Sequence, residues 1–263
     1  MKNIGFIGVG YMGYGIAKNI IKHKNNLFVI ANKNRKPIEK IVSEGAEEVK
    51  SFEDFASKNL DALFMCVTNT PIAKSISEKL SNILSDKTIV IDITTHNKTG
   101  SVETEAIFKS NNINYVECPV MGGPVQAEEG VLGGIVGASD DNFKIAEPYF
   151  NIFCKDYFHF GPVGMGAKSK LLNNFLTLGN AALINHMAKS AKEMSLDLKK
   201  VFDVAKLGSG NSAALIRIFD NLLKGDYTGF KFTANNSVKD LTYIQDLLKD
   251  FPEAEKVAEL NKN

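Results

Sequence analysis

Two groups of residues in this 263-residue chain have types and spacing that suit chemistry. The first is Gly8, Gly10 and Gly13 of GVGYMG, which follow a short apolar run over residues 3–8 and open a helical pattern over 14–22. In such a GxGxxG the first glycine permits a tight strand-to-helix turn. The second lets backbone N–H groups, with those of Tyr11 and Met12, approach a pyrophosphate, and the third lets helix and strand pack closely. The same spacing occurs in plain turns. Here a second apolar run, 27–31, arrives where a dinucleotide fold expects its next strand. At its end, where such folds carry an acid for the ribose of NAD, stands Asn32-Lys33-Asn34-Arg35. Lys33 and Arg35 are either ordinary surface charge or a pocket for the 2′-phosphate of NADP. On the second reading they have nothing to hold when the phosphate is absent.

The second group is a stripe. Lys170, Asn173, Asn174, Thr177 and Asn180 fall three or four positions apart, on one face of a helix, while Leu171, Leu172, Phe175, Leu176 and Ala182 cover the rest. No Asp, Glu, Lys or Arg occurs from 171 to 188, yet the asparagines speak against a membrane span and for a helix buried in protein. A lone lysine at the head of such a stripe is either solvated or chemical.

The elements that must position these groups follow from periodicity. Apolar strand runs at 46–49, 61–67, 88–92, 113–118 and 134–138 alternate with helical patterns at 37–44, 72–84, 101–110 and 140–149. This predicts an α/β, Rossmann-type doubly wound sheet. Ligands of such sheets lie beyond the carboxyl ends of the strands, so Val67-Thr68-Asn69, Thr94-Thr95-His96 and residues 119–124 line one crevice. A glycine-rich turn feeding one long interdomain helix, together spanning 161–189, then leads to helices at 198–207, 213–223 and 238–248, an all-α domain. The expected boundaries are 1–162 for the dinucleotide domain and 163–263 for the helical one. Lys239-Asp240, at the head of the last helix beside a Phe-rich turn, reads by itself as a solvated pair, the alternative being a pair that faces the crevice.

Composition narrows the function classes. With 44% hydrophobic and 23% charged residues and a net charge of +1, there is no electrostatic case for nucleic acid or an anionic membrane. Cys66, Cys118 and Cys154 stand far apart without CxxC spacing, which suits a reducing cytoplasm. The N-terminal apolar run is too brief for a signal peptide. Four histidines without ligand spacing predict no metal site.

Taken together, the residues resemble the β-hydroxyacid dehydrogenase family, which includes 3-hydroxyisobutyrate dehydrogenase and the glyoxylate or succinic semialdehyde reductases. The likeness spans nearly the whole chain. It is carried by GFIGVGYMG at 5–13, Asp92-Ile93-Thr94-Thr95, Pro119-Val120-Met121-Gly122-Gly123, the GxGxxxKxxxN of Gly164, Gly166, Lys170 and Asn174, and Lys239-Asp240-Leu241. The resemblance implies hydride transfer between NADP, with NAD as the alternative, and a small 3-hydroxyacid or semialdehyde, in a homodimer or homotetramer. Lys170 matches the catalytic lysine, Asn174 its helical partner, and Gly122 and Gly123 the turn that binds the substrate carboxylate. Thr95 and Lys239 match positions near the nicotinamide, Val67 and Thr68 line the cofactor, and Thr94 and Asp240 join the substrate side. Met121 departs from the family's serine, making the pocket more apolar. The chain also stops at Asn263, earlier than relatives that continue through further helices, which bears on site closure and oligomer contacts. An imine reductase-like enzyme would often lack the lysine. A cofactor-binding protein without turnover would lose its proton-transfer residue first, and this chain has both Lys170 and Asn174.

Overall fold

The computed structural model describes residues 1–32, 34–226 and 234–251, so Lys33 lies outside the described residues. The chain divides into two compact units, Met1–Lys170 and Leu171–Asn263, eight residues later than the sequence division at 162/163.

In the first unit, β1 (Asn3–Ile7), β2 (Asn26–Ile30), β3 (Glu47–Val49), β4 (Ala62–Met65), β5 (Ile89–Asp92) and β6 (Asn114–Glu117) form one sheet. Its order is β3-β2-β1-β4-β5-β6, all pairs parallel. The direction of winding reverses between β1 and β4, where open α/β sheets bind ligands. Between the strands run α1 (Tyr11–Lys22), α2 (Lys36–Ser43), α3 (Thr70–Leu80) and α4 (Gly100–Lys109). Side chains alternate across the sheet, so Ile4 and Phe6 of β1 pack with Ile16 and Ile20 of α1, whereas Ile7 joins Leu63, Met65 and Val90 on the other face. Burial on both faces explains why these strands read as continuous apolar runs.

The turn from β1 into α1 is set by backbone proximity. Gly8 has φ +99°, and a Cβ there would lie 2.1 Å from the Cys66 carbonyl oxygen. A Cβ on Gly13 would lie 2.1 Å from the Gly8 carbonyl oxygen, whereas one on Gly10 meets nothing within 4 Å. The close contacts therefore belong to Gly8 and Gly13, and the open side of the turn belongs to Gly10.

One strand differs from its expected place. The run predicted at 134–138 lies in a separate three-stranded sheet of β7 (Val120–Met121), β8 (Leu132–Val136) and β9 (Cys154–His159). β8 pairs antiparallel with β7 and parallel with β9. An apolar run cannot specify its partner strand. Gly134 helps decide it, because a Cβ there would stand 2.9 Å from Tyr157 Cβ, so only glycine lets β9 approach this closely. β7 is too short to show periodicity. Before and after β8 come α5 (Pro124–Glu129) and α6 (Asp140–Phe150). α5 docks on α1 through Gly15 and through Asn19, whose amide donates to the Ala127 carbonyl at 2.8 Å.

α7 (Met165–Glu193) runs out of the first unit into the second. There Ala181, Ile184 and Ala188 pack with Phe202 of α8 (Leu198–Ala205) and with Leu215, Ile218 and Phe219 of α9 (Ala213–Leu223). Leu171 and Leu178 pack with Ile244 and Leu248 of α10 (Ala234–Leu248). Burial of α7 on all sides is not observed. Leu172, Leu176 and Leu183 are 50%, 63% and 67% exposed in the single chain. Among the described residues, no helix is long and apolar enough to cross a membrane.

The two glycines predict stability losses of different size. Gly13→Ala should lose about 3 kcal/mol, the upper end for overpacking, because the atom it meets is backbone. Gly10→Ala should lose under about 1 kcal/mol. Urea unfolding of both variants checks the contrast.

Candidate active site

The dinucleotide end is built on α1. Gly10 caps this helix without a side-chain hydrogen bond of its own, and Tyr11 on the open side is 85% exposed. Backbone amides at a helix N-terminus with an unobstructed glycine fit a pyrophosphate. After β2, Asn32 and Asn34 are both exposed, the latter's side chain accepting from the Lys36 N–H at 3.3 Å. Arg35 was expected to have nothing to hold without a phosphate. Instead its guanidinium donates two bonds to Glu48 of β3, at 3.0 and 2.9 Å, with Glu39 at 3.6 Å. β3 lies beside β2 with Glu48 opposite Val29, and this tertiary neighbour is invisible from the 32–35 segment.

Beyond β4 and β5, a buried network braces the crevice loops. Asp92 is fully buried and accepts from the Thr94 N–H at 2.9 Å, the Tyr115 hydroxyl at 3.0 Å and His96 Nε2 at 2.8 Å. Burial first, then the Asp92 charge, pushes the Tyr115 phenol well above its ordinary range. Thr94 is buried too, and its hydroxyl accepts from the Val67 N–H at 3.1 Å, tying the two loops together. Thr68 is exposed and Thr95 half-buried at the same strand ends.

Lys170 belongs to the first unit and is 8% exposed. Its ammonium donates to the Val120 carbonyl at 2.8 Å and lies 3.4 Å from Met121 Sδ. Its burial does not fit the solvated reading of this lysine. Met121 thus stands beside the amine at the start of the Gly122-Gly123 turn. Gly122 has φ +116°, and the Gly123 N–H donates to Gln126 Oε1 at 2.9 Å.

The sequence reading passed over Glu117. This residue is fully buried at the end of β6, and its Oε1 accepts from the N–H groups of Gly164 at 2.6 Å and Gly166 at 2.8 Å, the entry to α7. Oε2 and the Ser101 hydroxyl are both buried, and neither has a partner of hydrogen-bonding geometry among the described residues. Burial pushes this carboxyl above the ordinary glutamate range, opposed by Ser101 and by the N–H groups of Gly164, Ala167 and Gly166. An acid inside the apolar stretch YVECPV is the signal that would have found it.

A second cluster lies within the helical unit. Asn174 donates to Asp240 Oδ2 at 2.6 Å, and Lys239 Nζ is 2.9 Å from Asp240 Oδ1. The expectation of a solvated Lys239-Asp240 pair is therefore wrong, since Asp240 is 2% exposed. Isolated helix periodicity could not place an acid against α7. Among the described residues no group of three metal-ligating side chains occurs.

The model for the NAD-binding domain of 6-phosphogluconate dehydrogenase matches residues 3–161, and that for the NAD-binding domain of NADP-dependent 3-hydroxyisobutyrate dehydrogenase matches 164–261. The chain belongs to the β-hydroxyacid dehydrogenase family. It is an NAD(P)-dependent dehydrogenase of CH–OH groups with 3-hydroxyacid dehydrogenase activity. Among relatives, this β-hydroxyacid dehydrogenase is 26% identical to 2-(hydroxymethyl)glutarate dehydrogenase of Eubacterium barkeri over 242 residues, 90% of this chain and 79% of that one. It is 26% identical to the NAD-dependent L-serine dehydrogenase of Pseudomonas aeruginosa, over 94% of this chain and 85% of that one. A solved 3-hydroxyisobutyrate dehydrogenase of Salmonella typhimurium shares the fold with a TM-score of 0.88 at 22% identity, covering 99% of this chain and 93% of that one.

Glu117 gives this β-hydroxyacid dehydrogenase a pH signature. Because its folded-state pKa is raised, the folded protein holds the proton to higher pH than the unfolded chain, and stability falls as pH rises through the folded value. Glu117→Gln should remove that fall. Denaturant unfolding at pH 5 and pH 8 should show wild type losing stability relative to the variant, and a constant difference would contradict it.

Proposed function

We propose that the chain is an NADP-dependent oxidoreductase that moves a hydride between nicotinamide and a small 3-hydroxyacid, or in reverse the matching semialdehyde, with Lys170 as the acid-base group. The observation that carries this reading is the buried ammonium of Lys170, held 2.8 Å from the Val120 carbonyl beside the Gly122-Gly123 turn. The bound nicotinamide accepts or supplies the hydride. As the carbinol carbon loses its hydride, its oxygen loses a proton, which the free amine of Lys170 takes up; in reduction the ammonium returns it. A lysine in water, with a pKa of about 10.4, is a poor base at neutral pH, so the role requires a site screened from water. Asn174 is assigned as the helical partner of the catalytic lysine and Asp240 to the substrate side, and Asn174 donates to Asp240.

The Gly122-Gly123 amides are assigned to the substrate carboxylate, which would replace the Gln126 oxygen now accepting from Gly123. The relatives' named substrates, 2-(hydroxymethyl)glutarate and L-serine, both carry a primary alcohol on the carbon next to the one bearing the carboxylate. Met121 in place of a hydroxyl favours an apolar substituent there. The exposed Leu172, Leu176 and Leu183 support a homodimer or homotetramer, and the three cysteines, spaced far apart in sequence, suit the cytoplasm.

Lys170→Ala should lower the turnover rate about 10²- to 10⁴-fold and leave the NADPH dissociation constant unchanged. Retention of more than a tenth of the wild-type rate would remove Lys170 from the reaction.

For cofactor choice, the absence of an acid at 32–35 supports NADP, whereas the capture of Arg35 by Glu48 favours NAD. An exposed ion pair is worth about 0–1 kcal/mol, so a 2′-phosphate can draw the guanidinium away at small cost. NADPH should therefore bind more tightly than NADH at low ionic strength. Glu48→Gln should strengthen NADPH binding by up to about fivefold and leave NADH binding unchanged. Equal affinities in wild type would establish the NAD reading.

A further inference from the structure

Glu117 is a costly residue to keep. A fully buried carboxylate with one oxygen lacking a hydrogen-bond partner among the described residues destabilises a fold unless something else retains it. The surroundings are shaped around it at further expense. A Cβ on Gly137 would lie 2.1 Å from Glu117 Oε1, and one on Gly166 3.0 Å from the same atom. Gly164 and Gly166, which the sequence offered only as part of a motif preceding Lys170, are the two residues whose N–H groups the carboxylate holds.

The segment carrying Glu117 also holds Lys170 by a second attachment. Three residues on, the Val120 carbonyl accepts from Lys170 Nζ, so residues 117–120 hold both the entry to α7 and the amine one turn beyond Gly166. The segment is itself fixed, since Glu117 exchanges two backbone hydrogen bonds with Gly137, at 3.1 and 3.0 Å. A slip of α7 along its axis would break both attachments.

We infer that Glu117 is a positioning residue, whose carboxylate seats the first turn of α7 and thereby fixes the Lys170 amine at the substrate oxygen. This rests on the acid-base role proposed for Lys170. A carboxylate grips backbone N–H groups more strongly than a carboxamide, and that difference is what the chain retains at the expense of stability.

The test is Glu117→Gln, assayed for NADPH oxidation with a panel of small semialdehydes alongside Lys170→Ala. The Gln variant should be at least as stable as wild type at pH 8, bind NADPH within twofold of wild type, and turn over about 5- to 50-fold more slowly. A merely structural residue would not raise stability and lower kcat together. Added to Lys170→Ala, the same replacement should change the residual rate by less than twofold. Glu117→Ala, which removes the grip altogether, should fall below Glu117→Gln in kcat; if it does not fold, the Gln variant decides. A Gln variant with wild-type kcat, or a double variant slowed by the full Glu117 factor, overturns the inference. If Lys170→Ala stays active, the acid-base reading fails first, which distinguishes the two.

Discussion

The head of α7 is held by one buried contact, the Glu117 carboxylate against its first N–H groups. The positive end of a helix is a natural place for an anion, and here the anion comes from the end of a strand in the parallel sheet. That contact joins the rigid part of the dinucleotide-binding unit to the helix bearing Lys170. The same β6–β7 segment then supplies Val120, Met121 and the glycine turn. Lys170, on a different element and some fifty positions away in sequence, becomes part of that segment's surroundings.

Backbone proximity does similar work at the other end of the crevice. Gly8 and Gly13 let β1, α1 and the chain at Cys66 approach to distances that any side chain would prevent, while Gly10 leaves its side of the turn clear. A buried Asp92 gathers Thr94, His96 and Tyr115, so the loop after β5 is set by charge-assisted hydrogen bonds in a dry environment. Regular elements thus carry the loops proposed to meet ligand, as a site with fixed geometry requires.

Two departures give this family member its individual character. Met121 puts a thioether against the lysine, and Arg35 is engaged by Glu48 and Glu39. The first bears on which acid fits beside the glycine turn. The second ties cofactor choice to an exposed ion pair, whose strength depends on salt.

By itself the sequence determined the parallel sheet, the GxGxxG turn, the long helix and the family, because period-2 and period-3.6 patterns and glycine spacings are local properties of the chain. It also singled out Lys170 and Asn174, since uncharged surroundings make a lone lysine conspicuous. It did not determine that residues 132–136 leave the main sheet, because an apolar run carries no record of its partner. Nor did it place Glu117 at the head of α7, Glu48 on Arg35, or Asp240 on Asn174. Each of these contacts joins residues distant in sequence, and each is a polar or charged group whose partner is chosen by burial and by the three-dimensional path of the backbone. Only the tertiary structure could decide them, because the cost of an unpaired charge is set by what surrounds it after folding.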